Sequence, residues 1–216
     1  AKRAVELGHK ILCSLEHGWQ GKYHECREIA IKYGLKFIFG TEAYWVKDRH
    51  EKDRTNCHIV LLAKNENGRE WINEVLSTAN EDGYYYRPRL DEELLFSLPP
   101  DDVFVTSACV AFWHYEPEYV EQLVCKLHDY FKDNFMLEIQ AHNTDKQKQL
   151  NARILELSKK YSIQMIVGLD SHYIYPEQAV ERDELLAASG THYDDEDGWY
   201  MDYPDDDTIR RRFAKQ

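Results

Sequence analysis

Five short stretches of this 216-residue chain carry side chains that bind divalent metal ions and handle protons. They are Glu16-His17, Gly40-Thr41-Glu42, Cys57-His58, Ala108-Cys109 and Asp170-Ser171-His172. Imidazole, carboxylate and thiolate are the ligands of zinc, manganese and iron. A carboxylate can also bridge two ions, which an imidazole cannot. Two ions roughly 3.5–4 Å apart clamp a phosphate, activate bound water and stabilise a leaving oxygen, which is the chemistry of phosphoester hydrolysis. In Asp170-x-His172 an extended backbone would turn both side chains to one side. Taken singly these signals are weak: a lone histidine at a strand end is more often structural than a ligand, and Cys109 alone reads as a small buried hydrophobe. Their conjunction on successive strands is what points to a metal site.

The elements that must position them alternate along the chain. Apolar runs at Lys10–Leu15, Leu35–Phe39, His58–Ala63, Val103–Ser107, Phe135–Gln140 and Gln164–Leu169 read as strands. Helical spacing falls over Tyr23–Tyr33, Glu66–Asn80, Pro117–Phe131, Lys146–Tyr161 and Glu177–Ala188, and residues 1–8 read as a helix end stopped by Gly8. This alternation predicts an α/β fold with a largely parallel sheet. Periodicity alone leaves an open doubly wound sheet and a closed barrel both standing. In such folds the loops at the carboxyl ends of strands build the site. Glu16-His17, Glu42, Cys109 and the Asp170–His172 loop fit that rule, and His58, at the start of a strand, does not.

Composition narrows the setting. Five cysteines, odd in number and with no CxxC pair, indicate neither a disulfide framework nor a zinc finger, and fit a reducing cytoplasm. No run approaches the ~20 apolar residues of a membrane span, and no signal peptide is visible. A net charge of −12 argues against a broad basic DNA-binding face. Metal ions would let an acidic chain act on phosphates. Tyr193–Asp207 holds eight acidic residues and reads as a solvated acidic loop.

Longer stretches resemble a known family. Ile11–Tyr44 resembles the segment running from "TDHG" through a helix to "GIKPIIGCEAY" in the PHP (polymerase and histidinol phosphatase) domain of bacterial replicative DNA polymerase III alpha-type subunits. HIVLLAKN at 58–65 resembles "HLVLLAKN", and Asn67–Ala79 resembles the helix that follows it. Tyr86-Arg87-Pro88-Arg89 resembles "xxPR", Ser107-Ala108-Cys109 resembles "SGC", and LEIQAH at 137–142 resembles "LELQDH". Gly168–Tyr173, with Pro176-Glu177 and Asp183–Leu186, is similar to "TNDxHYxxPEDxxxHDxLL". Asp207–Phe213, DTIRRRF, is similar to the segment that leads into the polymerase palm.

The resemblance implies a distorted (β/α)7 barrel of the PHP type over residues 1–190, incomplete at its N-terminus, with residues 191–216 an acidic connection toward a polymerase module outside this chain. It implies up to three divalent ions (zinc, manganese or iron) on nine ligands. The positions present here are His17, Glu42, His58, Cys109, Asp170 and His172. Glu16 stands where the family has Asp and is expected to support the adjacent histidine from behind. The family's opening His-x-His and nearby Asp have no counterpart, which implies fewer ions here. With the Ala1 start, this fits a piece of a longer chain better than a degenerate gene. The implied function is a metal-dependent phosphoesterase site, with 3′–5′ exonuclease or pyrophosphatase chemistry, in a DNA-directed DNA polymerase. DNA and the proofreading subunit are the implied partners, and no membrane. The alternatives are a non-catalytic domain that stabilises the polymerase, and a stand-alone phosphatase acting on a small phosphomonoester.

Overall fold

The computed structural model describes residues 1–55, 57–191 and 198–216. Among these, eight strands form one curled mixed sheet that is open rather than closed. The strands are β1 (Ile11–His17), β2 (Lys36–Trp45), β3 (Cys57–Ala63), β4 (Tyr84–Tyr85), β5 (Arg87–Leu90), β6 (Val103–Thr106), β7 (Phe135–Ile139) and β8 (Met165–Val167). The helices are α1 (Lys2–Glu6), α2 (Tyr23–Lys32), α3 (Glu66–Glu81), α4 (Glu92–Leu95), α5 (Pro117–Phe131), α6 (Asp145–Tyr161), α7 (Ala179–Ala188) and α8 (Asp206–Phe213). The sheet is a curled half-barrel that ends on one side at β8 and, on the other side of β2, at β1 and the β5–β4 hairpin.

Strand β2 is the hub. Its first part pairs with β1 in parallel, its last two residues pair with β5, and its other side pairs with β3. The largely parallel sheet expected from the alternation is interrupted here, because β3 runs antiparallel to both β2 and β6. The chain turns back after Trp45 through the connection 46–56, with no crossover helix among its described residues. Two successive antiparallel pairings restore the direction, so β6, β7 and β8 run parallel to β1 and β2. All five of these strands therefore end at one rim, and β3 begins there. That geometry explains why a histidine at the start of a strand belongs with residues at the ends of others.

The outer face of the sheet is covered by α3, α5 and α6, whose apolar stripes meet Trp45, Ile59, Leu61, Val105, Phe135 and Leu137 in one core. Asn65 caps α3 by accepting from Gly68 N at 2.9 Å, and Thr144 caps α6 by accepting from Gln147 N at 3.1 Å. Helix α7 starts at Ala179, two residues later than the spacing predicts, because Pro176–Gln178 forms a 3-10 turn first.

Residues 198–216 fold back onto the domain. Arg212 clamps Asp202 with bonds of 2.7 and 2.9 Å, Asp205 caps α8, and Gln216 donates to the His142 carbonyl at 3.0 Å. Residues 193–197 of the acidic stretch lie outside the described residues; of the rest, Asp205, Asp206 and Asp207 are exposed, whereas Asp202 is buried and paired. No helix among the described residues is long and apolar enough to cross a membrane.

Candidate metal centre

Register brings three of the expected side chains together. In the β1–β2 ladder His17 stands opposite Glu42, and in the β2–β3 ladder Tyr44 stands opposite His58. Glu42 and Tyr44 are two residues apart on one strand, so all four side chains share one face. Oε2 of Glu42 lies 3.3 Å from Nε2 of His17, and Oε1 lies 3.0 Å from Nδ1 of His58. The two imidazole rings meet edge-on with centroids 4.9 Å apart. The three side chains offer ligand atoms within 4.8 Å of one another and could hold a metal ion.

The environment prepares these groups. Burial alone would push the Glu42 carboxyl up; the hydrogen bond and charge of His58, then the charge of His17, outweigh it and hold Glu42 below the usual carboxylate range. Burial lowers His17, and the Glu42 charge offsets this only in part. The lowering favours the neutral ring, the form whose lone pair can bind a metal. Nδ1 of His58 faces Glu42, and in the tautomer that donates from Nδ1–H the lone pair sits on Nε2. That atom is buried with no hydrogen-bond partner among the described residues. A buried nitrogen lone pair without a partner is costly, and a cation would satisfy it. The donor set thus fits a divalent metal.

Cys109 joins the group, its Sγ 3.4 Å from His58 Nδ1. Burial, then the nearby Glu42 and Asp170 charges, raise its thiol well above the ordinary value, so without a cation it stays protonated. The residue before it, Ala108, sits in the left-handed region at φ 45°. Asp170 does the same at φ 49°. The extended Asp-x-His geometry expected from the sequence is therefore corrected: a left-handed bend turns His172 Nδ1 back to the Asp170 carbonyl at 2.8 Å, with Oδ1 at 3.7 Å. Asp170 and His172 stand outside the compact three-residue group, though their charges are felt at Cys109 and His17. Non-glycine residues in this region cost about 1–3 kcal/mol and cluster at functional sites; here two of them flank side chains at the rim.

Glu16 alternates with His17 along β1, so its side chain faces away from the histidine. Its Oε2 is buried without a hydrogen-bond partner among the described residues, and its carbonyl accepts from Thr41 Oγ1 at 2.8 Å.

Several rim residues escaped the sequence reading. Glu138 accepts from Thr106 Oγ1 at 2.9 Å and from Gln140 Nε2 at 3.0 Å. Gln140 Oε1 lies 3.1 Å from His142 Nε2, and His142 Nδ1 accepts from Tyr200 N at 3.0 Å. Trp199 stacks on the His142 ring at 4.7 Å. Burial, reinforced by the Glu42 and Asp170 charges, pushes the Glu138 carboxyl up to about 7 despite its two donors. Burial, then the Arg212 and His172 charges, lowers His142 to about 4. The signal was present as polar residues at every second position of LEIQAH, where β7 runs into its rim loop. Tyr44 and Arg87 were missed as well. The Tyr44 ring lies 5.9 Å from that of His17 and 5.3 Å from that of His58, and its hydroxyl accepts from Arg87 at 2.8 Å. Gly18, at φ 72°, lets the chain leave β1 beside it: a Cβ there would stand 2.9 Å from Pro88 and 3.1 Å from the Tyr44 ring.

A curled α/β half-barrel with histidine, carboxylate and thiol groups at one rim defines a class, the barrel-type domains with a candidate metal site at the strand ends. The chain belongs to one family of that class: the profile of the PHP domain matches residues 1–142. It is 32% identical to the DNA polymerase III subunit alpha of Aquifex aeolicus over 203 residues, 86% of this chain and 17% of that protein. The same subunit of Treponema pallidum is 29% identical over 198 residues, again 86% of this chain and 17% of that protein. The chain thus spans about a sixth of the length of these relatives. Among solved structures, a protein described as a metal-dependent phosphoesterase from Bifidobacterium adolescentis superposes with a TM-score of 0.51 at 14% identity, covering 99% of this chain and 88% of that one. An amidohydrolase from Chromobacterium violaceum gives 0.50 at 12% identity, covering 77% of this chain and 78% of that one. These two likenesses support the barrel-type fold alone.

Proposed function

We propose that this chain is the PHP domain of a bacterial replicative DNA polymerase of the alpha type, and that its rim site hydrolyses a phosphodiester or pyrophosphate with the help of divalent ions. The observation that carries the site reading is Glu42 held between His17 and His58, with the buried Nε2 of His58 unpartnered. His17, Glu42 and His58 would hold one ion, and Cys109, Asp170 and His172 would complete the set. Zinc, manganese or iron suits these donors. Bound ions would supply Lewis acidity toward a phosphoryl oxygen and an activated water. The chain's own residues prepare the site. Glu42 is held toward its ionised form and His17 toward its neutral one, the forms that bind metal. Glu138, near 7, can hold or release a proton at the working pH.

The polymerase reading rests on identities of 26–32% to alpha subunits across several bacteria. DNA and the proofreading subunit are its proposed partners. A second reading, a non-catalytic domain that stabilises the polymerase, draws on the small size of the gathered group: among the described residues only His17, Glu42 and His58 offer ligand atoms that all lie within 4.8 Å of one another.

Metal analysis of the purified protein and release of label from a 3′-labelled primer with Mn²⁺ or Zn²⁺ separate the two. Bound metal, with release abolished in Asp170→Asn, supports hydrolysis. Equal release by wild type and variant sinks it, and a protein that takes up no metal favours the scaffold.

A further inference from the structure

A cleft of about 270 Å³ opens beside the candidate metal centre, lined by Tyr44, Arg54, Tyr85, Tyr86, Arg87 and Arg89, with Asp53 and Thr55. Tyr44 is the shared wall: its ring meets His17 and His58, and its hydroxyl accepts from Arg87. The rest of the lining comes from the β4–β5 hairpin and from the loop before β3. Three guanidinium groups converge here on a chain whose net charge is −12.

The charges in the cleft have distinct duties. Arg89 is buried and donates to the carbonyls of Gly83, Glu51, Asp53 and Arg49 at 2.6–3.0 Å, locking the loop onto the hairpin. Asp53, the only carboxylate of the lining, accepts from the Tyr115 hydroxyl and from Thr55. Arg54 and Arg87 are exposed. Arg54 lies over the Tyr86 ring at 4.1 Å and is hydrogen-bonded to its hydroxyl. Tyr86 is the hairpin's turn residue, at φ 62° and 64% exposed. A bulky residue in the left-handed region is an outlier, and this one stands exposed at the cleft mouth with Arg54 over one face of its ring.

Aromatic faces beside exposed guanidinium groups recognise a nucleotide: the base stacks, and the phosphate takes the arginines. The volume admits one nucleotide and not a duplex. We infer that this cleft binds a single nucleotide unit, its base against the exposed Tyr86 ring and its phosphate on Arg87 and Arg54, beside the His17–Glu42–His58 group. The direction of the phosphate toward that group rests on the hydrolytic reading above; binding itself needs no metal. The unit can be a free nucleoside monophosphate or the end of a single strand.

Binding in EDTA tests this apart from catalysis. A short 5′-labelled oligothymidylate is followed by fluorescence anisotropy and dTMP by calorimetry, on wild type and on the Tyr86→Ala, Arg87→Ala and Arg54→Ala variants. All three positions are exposed, and circular dichroism confirms each fold. We expect each variant to bind roughly ten-fold more weakly or worse. The oligonucleotide affinity should also fall as salt rises. Binding of the oligonucleotide alone assigns the cleft to a strand end, of dTMP alone to a free nucleotide, and of both to the shared unit. Binding by neither ligand, or variants that bind as wild type does, overturns the proposal whether or not the metal centre proves hydrolytic.

Discussion

Glu42 Oε1 approaches His58 Nδ1 to 3.0 Å across the antiparallel β2–β3 pair, although the two residues are not directly opposite in the ladder. Register sets Tyr44 against His58 and Val60 against Glu42, so the contact is diagonal. Glu42→Gln keeps the shape of the side chain and removes the charge between two imidazoles. We expect the variant to keep its fold and to bind Mn²⁺ or Zn²⁺ at least roughly ten-fold more weakly, since even supporting groups of metal ligands are worth that much. Calorimetric titration measures it. Undiminished affinity would remove Glu42 from the site.

Much of this arrangement could be read in advance, and the missing part has a physical origin. Strands β1, β2, β3, β6, β7 and β8 follow from apolar runs, and helices α3, α5 and α6 from periodicity, because both are local properties. The reversal of β3 is not local: HIVLLA would look the same in either direction. Its antiparallel pairing is fixed by contacts with β2 and β6, and it alone makes sense of His58. The left-handed bend at Asp170 was equally invisible, since nothing in the residue type demands it. The β4–β5 hairpin hides in YYYRPR, whose proline and short strands give little strand signal. Glu138, Gln140 and His142 were passed over because their partners, Thr106 and Tyr200, lie about 30 to 60 residues away in sequence.

Cys109 makes a prediction about protons. Burial and three nearby carboxylates keep it a thiol in the metal-free protein, whereas a metal ligand must be a thiolate. Metal uptake near neutral pH should therefore release about one proton from this residue. Titrations in buffers of different ionisation enthalpy count that proton. Cys109→Ala should lose it and bind more weakly. An unchanged proton count in the variant would show that Cys109 is not a ligand.

Gly40 tests how tightly the site-bearing strand is packed. It sits in β2 between β1 and β3, two residues before Glu42. A Cβ there would fall 2.5 Å from Leu62 Cδ2, 2.8 Å from Leu15 Cδ2 and 2.8 Å from the Leu61 carbonyl oxygen. The two leucine tips can rotate, but the carbonyl belongs to the ladder and cannot. Overpacking of this kind costs roughly 1–3 kcal/mol. Gly40→Ala should be destabilised by about that amount in urea unfolding, and should bind metal less well as β2 shifts. Wild-type stability would mean that the three strands part more easily than their register suggests.

Glu138 gives a pH signature with a definite sign. Its carboxyl is pushed up to about 7 in the folded metal-free chain, from an ordinary value near 4.5, first by burial and then by the Glu42 and Asp170 charges. Below the ordinary value both folded and unfolded chains carry the proton, and the group contributes no pH dependence. Between 4.5 and 7 the unfolded chain ionises while the folded chain does not, so stability falls as pH rises. Above the folded value both forms are ionised, and the penalty of the buried charge is complete. Glu138→Gln offers a neutral group of the same shape between Thr106 and Gln140, and it has no proton to lose. Thermal melts in EDTA should bring variant and wild type closest together at the acid end. The variant should gain on wild type through the interval and hold a constant lead beyond it. A difference that does not change with pH would mean that Glu138 titrates normally, and that the proton poised at this rim belongs to another group.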